Sequence, residues 1–499
     1  MTAAEDRLGP TIFERSRPGR GGGKVPHPPA DALARIPAGH LRAAGPRLPE
    51  VSEPELARHY TKLSQLNYAV DTGFYPLGSC TMKYNPKIDE WAARLPGFTA
   101  LHPLVPDELS QGTLQLLWEL EGALAEIGGM KAVTLQPAAG AQGELTGILM
   151  VRAYHHSRGD LERCEVLVPD SAHGTNPATA SMAGFTTVSI PSAPDGGVDV
   201  EAFRAALGPR TAAVMITNPS TLGLFESRLC ELLDAVHEAG ALAYMDGANL
   251  NAIMGRFKPG EAGFDVMHIN VHKTFSTPHG GGGPGAGPVG VGEKLLPFLP
   301  SPRVLRGADG RFRLEAPGER PTSIGRMRAF AGNTGVLVRA YAYIRANGGS
   351  GLREVSEDAV LAANYLKARV ADLLDVPYSR PCMHEFVASS ATLKTQTGIR
   401  TLDVAKRLID YGFHPPTVYF PLTVEEALLI EPTETESIET LDLFVDALRS
   451  IVAEAHANPD LLHSAPHGSP VRRLDETAAA RQPNLRWRAM TGSQTPCPD

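Results

Sequence analysis

The residue best placed for covalent chemistry is Lys273. It lies in the run 269–275, which contains several β-branched residues, and residues 276–279 and the glycine-rich stretch 280–290 follow it. This pattern predicts a strand that ends at the lysine, after which glycines allow the backbone to approach a ligand closely. A lysine amine in such a place can form a Schiff base with a carbonyl group. The pattern therefore predicts a Schiff-base lysine.

A carboxylate ends another apolar run. Residues 241–245 read as a buried strand, and Asp246 follows them directly. An aspartate that pairs with a pyridine nitrogen keeps this nitrogen protonated, so that the ring can accept electrons from a carbanion. Lys273 and Asp246 together indicate a pyridine cofactor that is held through its aldehyde.

Two further strand ends complete the set. Ala139, Gly140 and Ala141 follow an apolar run and open a helical pattern, where backbone N–H groups and the helix dipole can hold a phosphate. His173 lies at another strand end, from which its imidazole can lie flat on a cofactor ring. The four features together predict pyridoxal 5'-phosphate (PLP), because phosphate loop, stacking residue, aspartate and lysine follow the order found in aspartate-aminotransferase-like enzymes.

Competing motifs are weaker. Residues 285–290 match the letters of the dinucleotide pattern G-x-G-x-x-G, but Pro288 interrupts them and no apolar strand leads in. A Walker loop has its lysine after the glycines, whereas here the lysine precedes them. His268 and His272 are four residues apart, but no glutamate lies between them and no third ligand is evident, so no metal is expected.

Composition indicates the class of protein. The 499 residues, of which 42% are hydrophobic, are enough for about two or three domains with sizeable cores. The net charge of −8 comes without a basic stripe, so nucleic acid is not expected as a partner. There is no apolar run long enough for a membrane helix and no apolar signal core near Met1, so we expect a cytoplasmic enzyme.

Cysteine usage agrees with that location. The five cysteines are scattered and have no C-x-x-C spacing, which predicts reduced thiols rather than a disulfide framework. They are Cys80, Cys164, Cys230, Cys382 and Cys497.

Helical and β-rich patterns alternate between residues 105 and 345. The runs 132–136, 165–169, 212–217, 241–246 and 265–271 read as strands, and segments such as 226–239 between them read as helices. Such alternation predicts a mostly parallel sheet with helices on both faces and with ligands at the carboxyl ends of the strands. The predicted fold is therefore α/β, PLP-dependent transferase fold type I (aspartate-aminotransferase-like), with a smaller C-terminal α/β domain.

The predicted domain limits follow from changes in pattern. Residues 1–104 are rich in proline and fit both a flexible basic linker and an arm on a partner subunit, of which we favour the arm. A large PLP-binding domain is expected at 105–348, a small C-terminal domain at 349–460 and a surface tail at 461–499.

Several of these segments resemble one known family. The chain is similar over nearly its whole length to the glycine decarboxylase P-protein of the glycine cleavage system. The matching motifs are residues 78–86, the His173 run, residues 246–251, the Lys273 run, and residues 323–326, 382–386, 411–417 and 430–436.

In length, the chain resembles the lysine-bearing second subunit of the split form of this family. The resemblance implies a glycine dehydrogenase (aminomethyl-transferring), an oxidoreductase that decarboxylates glycine with PLP, releases CO₂ and passes the aminomethyl group to the lipoyl arm of the H-protein. It also implies an α2β2 heterotetramer with P-protein subunit 1. Two alternatives stay open: another fold-type-I PLP enzyme, such as an amino-acid decarboxylase or aminotransferase, and a non-catalytic scaffold subunit.

The resemblance also assigns roles to residues. It implies that Lys273, His173 and Asp246 are catalytic, and that backbone N–H groups of residues 139–141 bind the phosphate. Asn249, His272 and Thr274 are expected to bind the cofactor as well, and Thr81 and Asn85 to bind the glycine carboxylate. For Arg326 an anionic contact is the less favoured interpretation, because a tight ion pair with the departing carboxylate would stabilise the ground state. Ser220 departs from the family pattern, where asparagine is expected.

Overall fold

The computed structural model describes residues 9–21, 28–46 and 48–485. Cys497, part of the predicted arm and the end of the predicted tail lie outside these residues. The chain divides into two compact units, residues 70–463 and residues 1–69 with 464–499. The larger unit contains both regions predicted as the large and small domains, whose limits stay predictions. Within the described ranges no helix is long and apolar enough to cross a membrane.

A seven-stranded sheet forms the centre of the larger unit. Its strand order is β1-β7-β6-β5-β4-β2-β3, and β7 runs antiparallel to both of its neighbours while the other pairs are parallel. The prediction of a mostly parallel sheet is thus confirmed. The strands are β1 (Ala132–Thr134), β2 (Glu165–Pro169), β3 (Thr186–Ile190), β4 (Thr211–Thr217), β5 (Leu242–Gly247), β6 (Val266–Ile269) and β7 (Val289–Val291).

The central strands are apolar because both faces of the sheet are covered. All residues of β4 and β5 are buried, and strands buried on both faces read as continuous hydrophobic runs. The helices of this unit are Lys87–Ala93, Pro96–Thr99, Gln111–Gly128, Gly140–Ser157, Thr175–Met182, Val200–Ala206, Leu229–Glu238, Pro259–Ala262, Val271–Thr274, Thr334–Val370, Ala391–Thr397, Thr401–Asp410, Ile438–Ala457 and Pro459–His463, with 3₁₀ turns at Asp107–Leu109, Leu250–Ala252 and Glu293–Phe298.

Two predicted elements differ from the structure. The strand predicted at 265–271 ends at Ile269, and Lys273 lies in the helical turn Val271–Thr274, because the N–H groups of Lys273 and Thr274 both bond to the Asn270 carbonyl. The Ala- and Arg-rich pattern at 327–345 predicts a helical stretch, but the helix begins only at Thr334. Gly332, at φ 105°, adopts a conformation outside the helical region just before this start.

A second, antiparallel sheet has its own core. Its order is β10-β12-β11, with β10 (Phe386–Ser389), β11 (Thr417–Val418) and β12 (Ala427–Ile430), and Phe386 packs with Phe444 and other apolar residues behind it. The helix Thr334–Val370, which is kinked at Gly348, has one part in the core of the large sheet and the other in this core. A two-stranded ribbon pairs β8 (Val304–Arg306) with β9 (Phe312–Leu314).

The segment before residue 83 is attached to the second sheet. Leu77 forms a bridge with Ile430, and the Gly78 N–H donates to the Leu429 carbonyl at 3.2 Å. A side chain at Gly78 would overlap the Leu429 backbone, so only glycine allows this close approach. This attachment leads residues 79–82 from the small sheet to the edge of the large sheet at which the parallel strands end.

The smaller unit consists of short elements. Its helices are Ile12–Arg15, Glu53–Ser64 and Glu476–Arg481, with 3₁₀ turns at Leu33–Arg35 and Ala38–His40. Ser52 and Glu55 form a capping box at the start of its longest helix. The N–H of Arg17 donates to the Glu50 carbonyl at 3.0 Å, which ties the N-terminal turn to the segment before that helix.

Candidate active site

A cavity of about 480 Å³ opens at the carboxyl ends of the parallel strands. The amine of Lys273 points into it and donates to the Ser79 carbonyl at 2.7 Å. Seven residues that the sequence predicted for the site thus lie together in the wall of this cavity. They are Gly140, Ala141, His173, Asp246, Asn249, His272 and Lys273.

Asp246 lies near the end of β5 and is almost fully buried. Its Oδ1 accepts from the Ala248 N–H at 3.0 Å, and its Oδ2 accepts from the Asn176 amide at 3.1 Å. Burial acts to raise the pKa of Asp246, but the effects of His268 and of these hydrogen bonds together lower it below the ordinary value. The carboxylate is therefore ionised at neutral pH, the state in which it can pair with a protonated ring nitrogen.

His268 supports Asp246 from the neighbouring strand. Asp246 and His268 are paired in the register of β5 and β6, and His268 Nε2 lies 3.2 Å from Asp246 Oδ1. The Tyr244 hydroxyl lies 2.8 Å from the other ring nitrogen, Nδ1, and burial raises the pKa of Tyr244 well above its ordinary value. The hydroxyl is then the donor to Nδ1, which leaves the Nε2–H to face the carboxylate.

The spacing of His268 and His272 raised only the question of a metal ligand, and the support that His268 gives to Asp246 was not predicted. The signal was present, because residues that end adjacent parallel strands lie side by side. Burial lowers the pKa of His268, although the charge of Asp246 opposes this, so the ring is neutral at neutral pH.

Glu144 is a second residue that sequence analysis missed. It follows Gly140 by one helical turn, a spacing that puts both residues on the same face, and it lines the cavity. Its Oε1 lies 2.7 Å from the Thr175 hydroxyl, and its Oε2 accepts from the Asn176 amide at 3.0 Å. Burial, followed by repulsion from Asp246, raises the pKa of Glu144 to about 8. At neutral pH the proton of this carboxyl pair is therefore on Glu144 and the charge on Asp246.

His173 stands between β2 and the helix Thr175–Met182. Its Nδ1 lies 2.9 Å from the Thr175 hydroxyl, and Phe420 contacts the ring edge-on at 6.0 Å between centroids. Burial lowers the pKa of His173, so the imidazole is neutral and can pack on a flat ring. Thr175 thus links the imidazole to Glu144, which in turn shares Asn176 with Asp246.

The predicted phosphate loop has the geometry that an anion needs. Ala139 is the N-cap of the helix Gly140–Ser157, whose first N–H groups have no partner within the helix. A side chain at Gly140 would overlap the Asn270 amide, so glycine lets the helix start close to Asn270. Burial lowers the pKa of His272 to about 3, which makes this imidazole a neutral hydrogen-bonding group.

The wall of the cavity offers further unused polar atoms. Among the described residues, the amide oxygens of Asn249 and Asn270 are buried and have no hydrogen-bond partner, and both residues line the cavity. Buried polar atoms are seldom left in this state unless a ligand or water meets them. The groups that PLP requires are thus present in one cavity. They are a lysine amine, an ionised aspartate, a helix start and neutral imidazoles.

Besides Ala139, which caps the helix Gly140–Ser157, four predicted residues lie outside the lining of this cavity. Thr274 is buried, and its hydroxyl has no hydrogen-bond partner among the described residues. Thr81 is also buried, and its N–H donates to the Glu431 carboxyl group. The Asn85 amide donates to the Ser276 carbonyl at 2.8 Å, and Arg326 is exposed, with its guanidinium on the Phe330 carbonyl. Their contacts with cofactor or substrate stay predictions that the cavity lining does not support.

Solved structures share this architecture. A glycine decarboxylase (P-protein) of the glycine cleavage system, in inhibitor-bound form, superposes with a TM-score of 0.71 at 24% identity, over 84% of this chain and 94% of that chain. A variant of the enzyme C-DES with glycine covalently linked to its PLP cofactor superposes with a TM-score of 0.58 at 15% identity, over 76% of this chain and 99% of that chain. The fold is that of PLP-dependent enzymes of fold type I.

The sequence comparisons define the family within this class. Residues 355–467 match the family model "Glycine dehydrogenase, C-terminal domain". The probable glycine dehydrogenase (decarboxylating) subunit 2 of Halalkalibacterium halodurans is 56% identical over 96% of this chain and 98% of its own length. The chain belongs to the glycine dehydrogenase (decarboxylating) subunit 2 family.

Proposed function

We propose that this chain is the lysine-bearing subunit of a decarboxylating glycine dehydrogenase. It removes the carboxyl group of glycine as CO₂ and passes the aminomethyl group to the lipoyl arm of an H-protein, with PLP as cofactor. Family membership supports this function, and the observation that carries it is the placement of Lys273 and Asp246 in one cavity wall.

In this proposal the cofactor is held by groups of the large sheet. Lys273 would hold it through its aldehyde, the helix start at Gly140 would bind its phosphate, and His173 would pack against its ring. His272 and Asn249 add polar contacts from the cavity wall. When bound, PLP supplies a ring that takes up the electrons left behind by the departing carboxylate.

The protein's own part is to set charges and exclude competing protons. Asp246, kept ionised by His268, Ala248 and Asn176, would hold a proton at the ring nitrogen of the cofactor. Glu144 keeps its own proton and so adds no second negative charge beside Asp246. Since glycine has no side chain, much of the cavity stays free for the lipoyl arm.

The proposed partners follow from the family. The name "subunit 2" implies a first subunit, and we propose an α2β2 heterotetramer with P-protein subunit 1. The lipoylated H-protein is the second partner. A cytoplasmic location is part of the proposal on the strength of the sequence alone.

The test is exchange of labelled bicarbonate into the carboxyl group of glycine. The chain is purified with its partner subunit and a lipoylated H-protein, and the Lys273→Ala chain and an H-protein without lipoate serve as controls. We expect exchange that needs both lipoate and Lys273. Exchange that continues without lipoate would instead indicate another PLP reaction, and a chain that shows no cofactor absorbance would be a scaffold.

A further inference from the structure

The loop that contacts Lys273 has a backbone conformation that side chains disfavour. Ser79 has φ 66° and Thr81 has φ 44°, and neither is glycine. Residues other than glycine hold such angles only where the surroundings fix them, and they occur most often at functional sites. We call residues 78–82 the Ser79 loop.

Two buried carboxyl groups hold this loop, one at each of the left-handed residues. The Ser79 N–H donates to Glu385 Oε2 at 2.6 Å, and the Thr81 N–H donates to Glu431 Oε2 at 2.9 Å. Both glutamates are almost completely buried. Backbone N–H bonds to a carboxyl oxygen are among the stronger hydrogen bonds in proteins. The carboxyl groups therefore act where the backbone needs support.

The loop presents two groups to the cavity. The Ser79 carbonyl accepts from the Lys273 amine at 2.7 Å, and Cys80 lines the cavity beside it. The loop's first residue is fixed to the small sheet, because the Thr417 hydroxyl donates to the Gly78 carbonyl at 2.8 Å. The position of the Ser79 carbonyl therefore depends on the small sheet and on the two glutamates.

The second oxygens of the two glutamates face a buried histidine without bonding to it. Glu385 Oε1 lies 3.8 Å and Glu431 Oε1 lies 3.9 Å from His384 Nε2, and neither oxygen has a hydrogen-bond partner within the described residues. Burial lowers the pKa of His384 to about 3, raises that of Glu431 to about 7 and raises that of Glu385 well above its ordinary value.

After burial, the charge of Glu431 raises the pKa of Glu385 and the charge of Glu434 raises the pKa of Glu431, whereas Lys273 lowers both pKa values. The pair therefore keeps at least one proton at neutral pH beside a neutral histidine, and its titration belongs to the pair. A protonated carboxyl can still accept the loop N–H through its other oxygen. The loop contacts thus do not require both groups to be charged.

We propose that Glu385 and Glu431 are positioning residues that hold the Ser79 loop in its left-handed conformation and so aim the Ser79 carbonyl at the Lys273 amine. The role rests on the proposed function only in taking Lys273 as the reactive amine. Neither glutamate lines the cavity, so they act through the loop and not on the substrate.

The first test reads the loop without the cofactor. Cys80 lies between the two anchored residues, so its rate of alkylation by iodoacetamide, followed by peptide mass spectrometry in the full chain purified without PLP, rises when the loop opens. Besides burial, Glu431 and Glu385 themselves raise the pKa of the Cys80 thiol, so the glutamine variants below separate the loss of a carboxyl charge from the opening of the loop. Cys230 is exposed and serves as the internal reference. We expect Glu385→Ala and Glu431→Ala each to raise the Cys80 rate by about tenfold or more, since each removes a bond to a charged or acidic group.

Two variants control this result. Glu385→Gln and Glu431→Gln keep an oxygen that accepts the N–H, so the Cys80 rate should stay within about threefold of the wild type. Glu121→Gln makes the same change in another buried carboxyl whose pKa is also raised to about 7, but which pairs with Arg303 away from the loop, and should leave Cys80 unaffected. Unchanged Cys80 rates in both alanine variants would overturn the proposal.

If an alanine variant does not fold, Glu385→Asp and Glu431→Asp carry the same test, because a side chain shorter by one methylene cannot reach the loop N–H. Wild-type Cys80 rates in both aspartate variants would then overturn the proposal.

The second test reads Lys273 itself in the loaded complex. The pH midpoint of the visible absorbance of the Lys273–cofactor adduct should fall by about one unit or more in Glu385→Ala, because the protonated nitrogen of Lys273 loses its fixed acceptor, and return towards the wild type in Glu385→Gln. A purely structural role would lower the amount of folded protein and leave the midpoint unchanged. If bicarbonate exchange fails while Cys80 and the midpoint respond, the proposed function falls and the positioning role stands.

Discussion

Two clusters of the same composition flank Lys273. Each consists of two carboxyl groups and one histidine, all buried, with their ligand atoms within 4.8 Å of one another. The first, on the large sheet, is Glu144, Asp246 and His268, and the second, beside the small sheet, is Glu385, Glu431 and His384. They differ in their partners. Every carboxyl oxygen of the first cluster has a partner, whereas each glutamate of the second has one oxygen that meets no partner in the part of the chain that the structure describes.

The difference shows that the partners decide what a buried carboxyl can do. Asp246 receives a backbone N–H, an amide and a histidine, which together outweigh the cost of burying its charge. Glu385 and Glu431 receive one backbone N–H each, and burial leaves their pKa values raised. The first cluster thus holds a charge for the cofactor, and the second holds a backbone.

The largest effect is expected from Lys273→Ala. The variant removes the amine that both clusters serve, so the visible absorbance of the cofactor adduct should be lost and glycine turnover should fall by about 10⁴-fold or more. Lys131→Ala, at an exposed lysine, is the control and should behave as the wild type. Turnover within about tenfold of the wild type in Lys273→Ala would remove this lysine from the mechanism.

Asp246→Asn is expected to have the next largest effect. The amide keeps the shape of the side chain but not its charge, so the variant should still bind PLP while turnover falls by about 10²- to 10³-fold. Glu144→Gln, which resembles the protonated carboxyl already present, should lower turnover by less than about tenfold. Steady-state turnover and cofactor content measure both. Equal losses in the two variants would mean that the charge is not confined to Asp246.

The two histidines offer a smaller effect on stability. His268→Leu leaves the Tyr244 hydroxyl without its histidine partner and removes one of the three groups that stabilise the charge of Asp246, so it should lower the free energy of unfolding by about 2 to 4 kcal/mol. His384→Leu removes a ring whose two nitrogens have no hydrogen-bond partner among residues 9–21, 28–46 and 48–485, and should cost about 1 kcal/mol or less. Urea unfolding of both variants measures the difference. A loss for His384→Leu as large as for His268→Leu would show that the second cluster is bonded as fully as the first.

The sequence located Asp246 of the first cluster, but neither of its two neighbours and no residue of the second. Strand ends can be located from hydrophobic runs, and because parallel strands end at one edge, the predicted neighbourhood of Lys273, Asp246 and His173 is found in the structure. The Ser79 loop meets Glu385 and Glu431 across 306 and 350 residues of sequence, and no local pattern encodes such contacts.

Two strands of the large sheet were also missed. In β3 polar residues interrupt the apolar pattern, and β7 has only three residues, one of them glycine, so neither gives a clear period. Pairing with neighbouring strands, and not the local sequence, makes β7 a strand, because it lies between β1 and β6 and bonds to each of them. Because β7 was not predicted, the sequence also could not show that β1, which leads into the phosphate loop, lies two positions in the sheet from β6, the strand that precedes Lys273.

The smallest effect, a change in the pH dependence of stability, separates the two clusters most directly. Burial raises the pKa of Glu144 to about 8, whereas an unfolded glutamate titrates at about 4.3. Between these values the folded chain holds a proton that the unfolded chain has released. The free energy of unfolding therefore falls as the pH rises, by up to about 1.4 kcal/mol per pH unit, and the contribution of Glu144, complete below about pH 4, is lost as the pH passes through about 8.

Urea unfolding between about pH 7 and pH 8 should accordingly show a shallower slope for Glu144→Gln than for the wild type. The pKa of Glu431 is raised only to about 7. Glu431→Gln should therefore change the slope of the free energy of unfolding mainly below that pH, and should change it less than Glu144→Gln does between about pH 7 and pH 8. Equal slopes for Glu144→Gln and the wild type in the upper range would mean that Glu144 is already ionised, and the first cluster would then carry two charges instead of one.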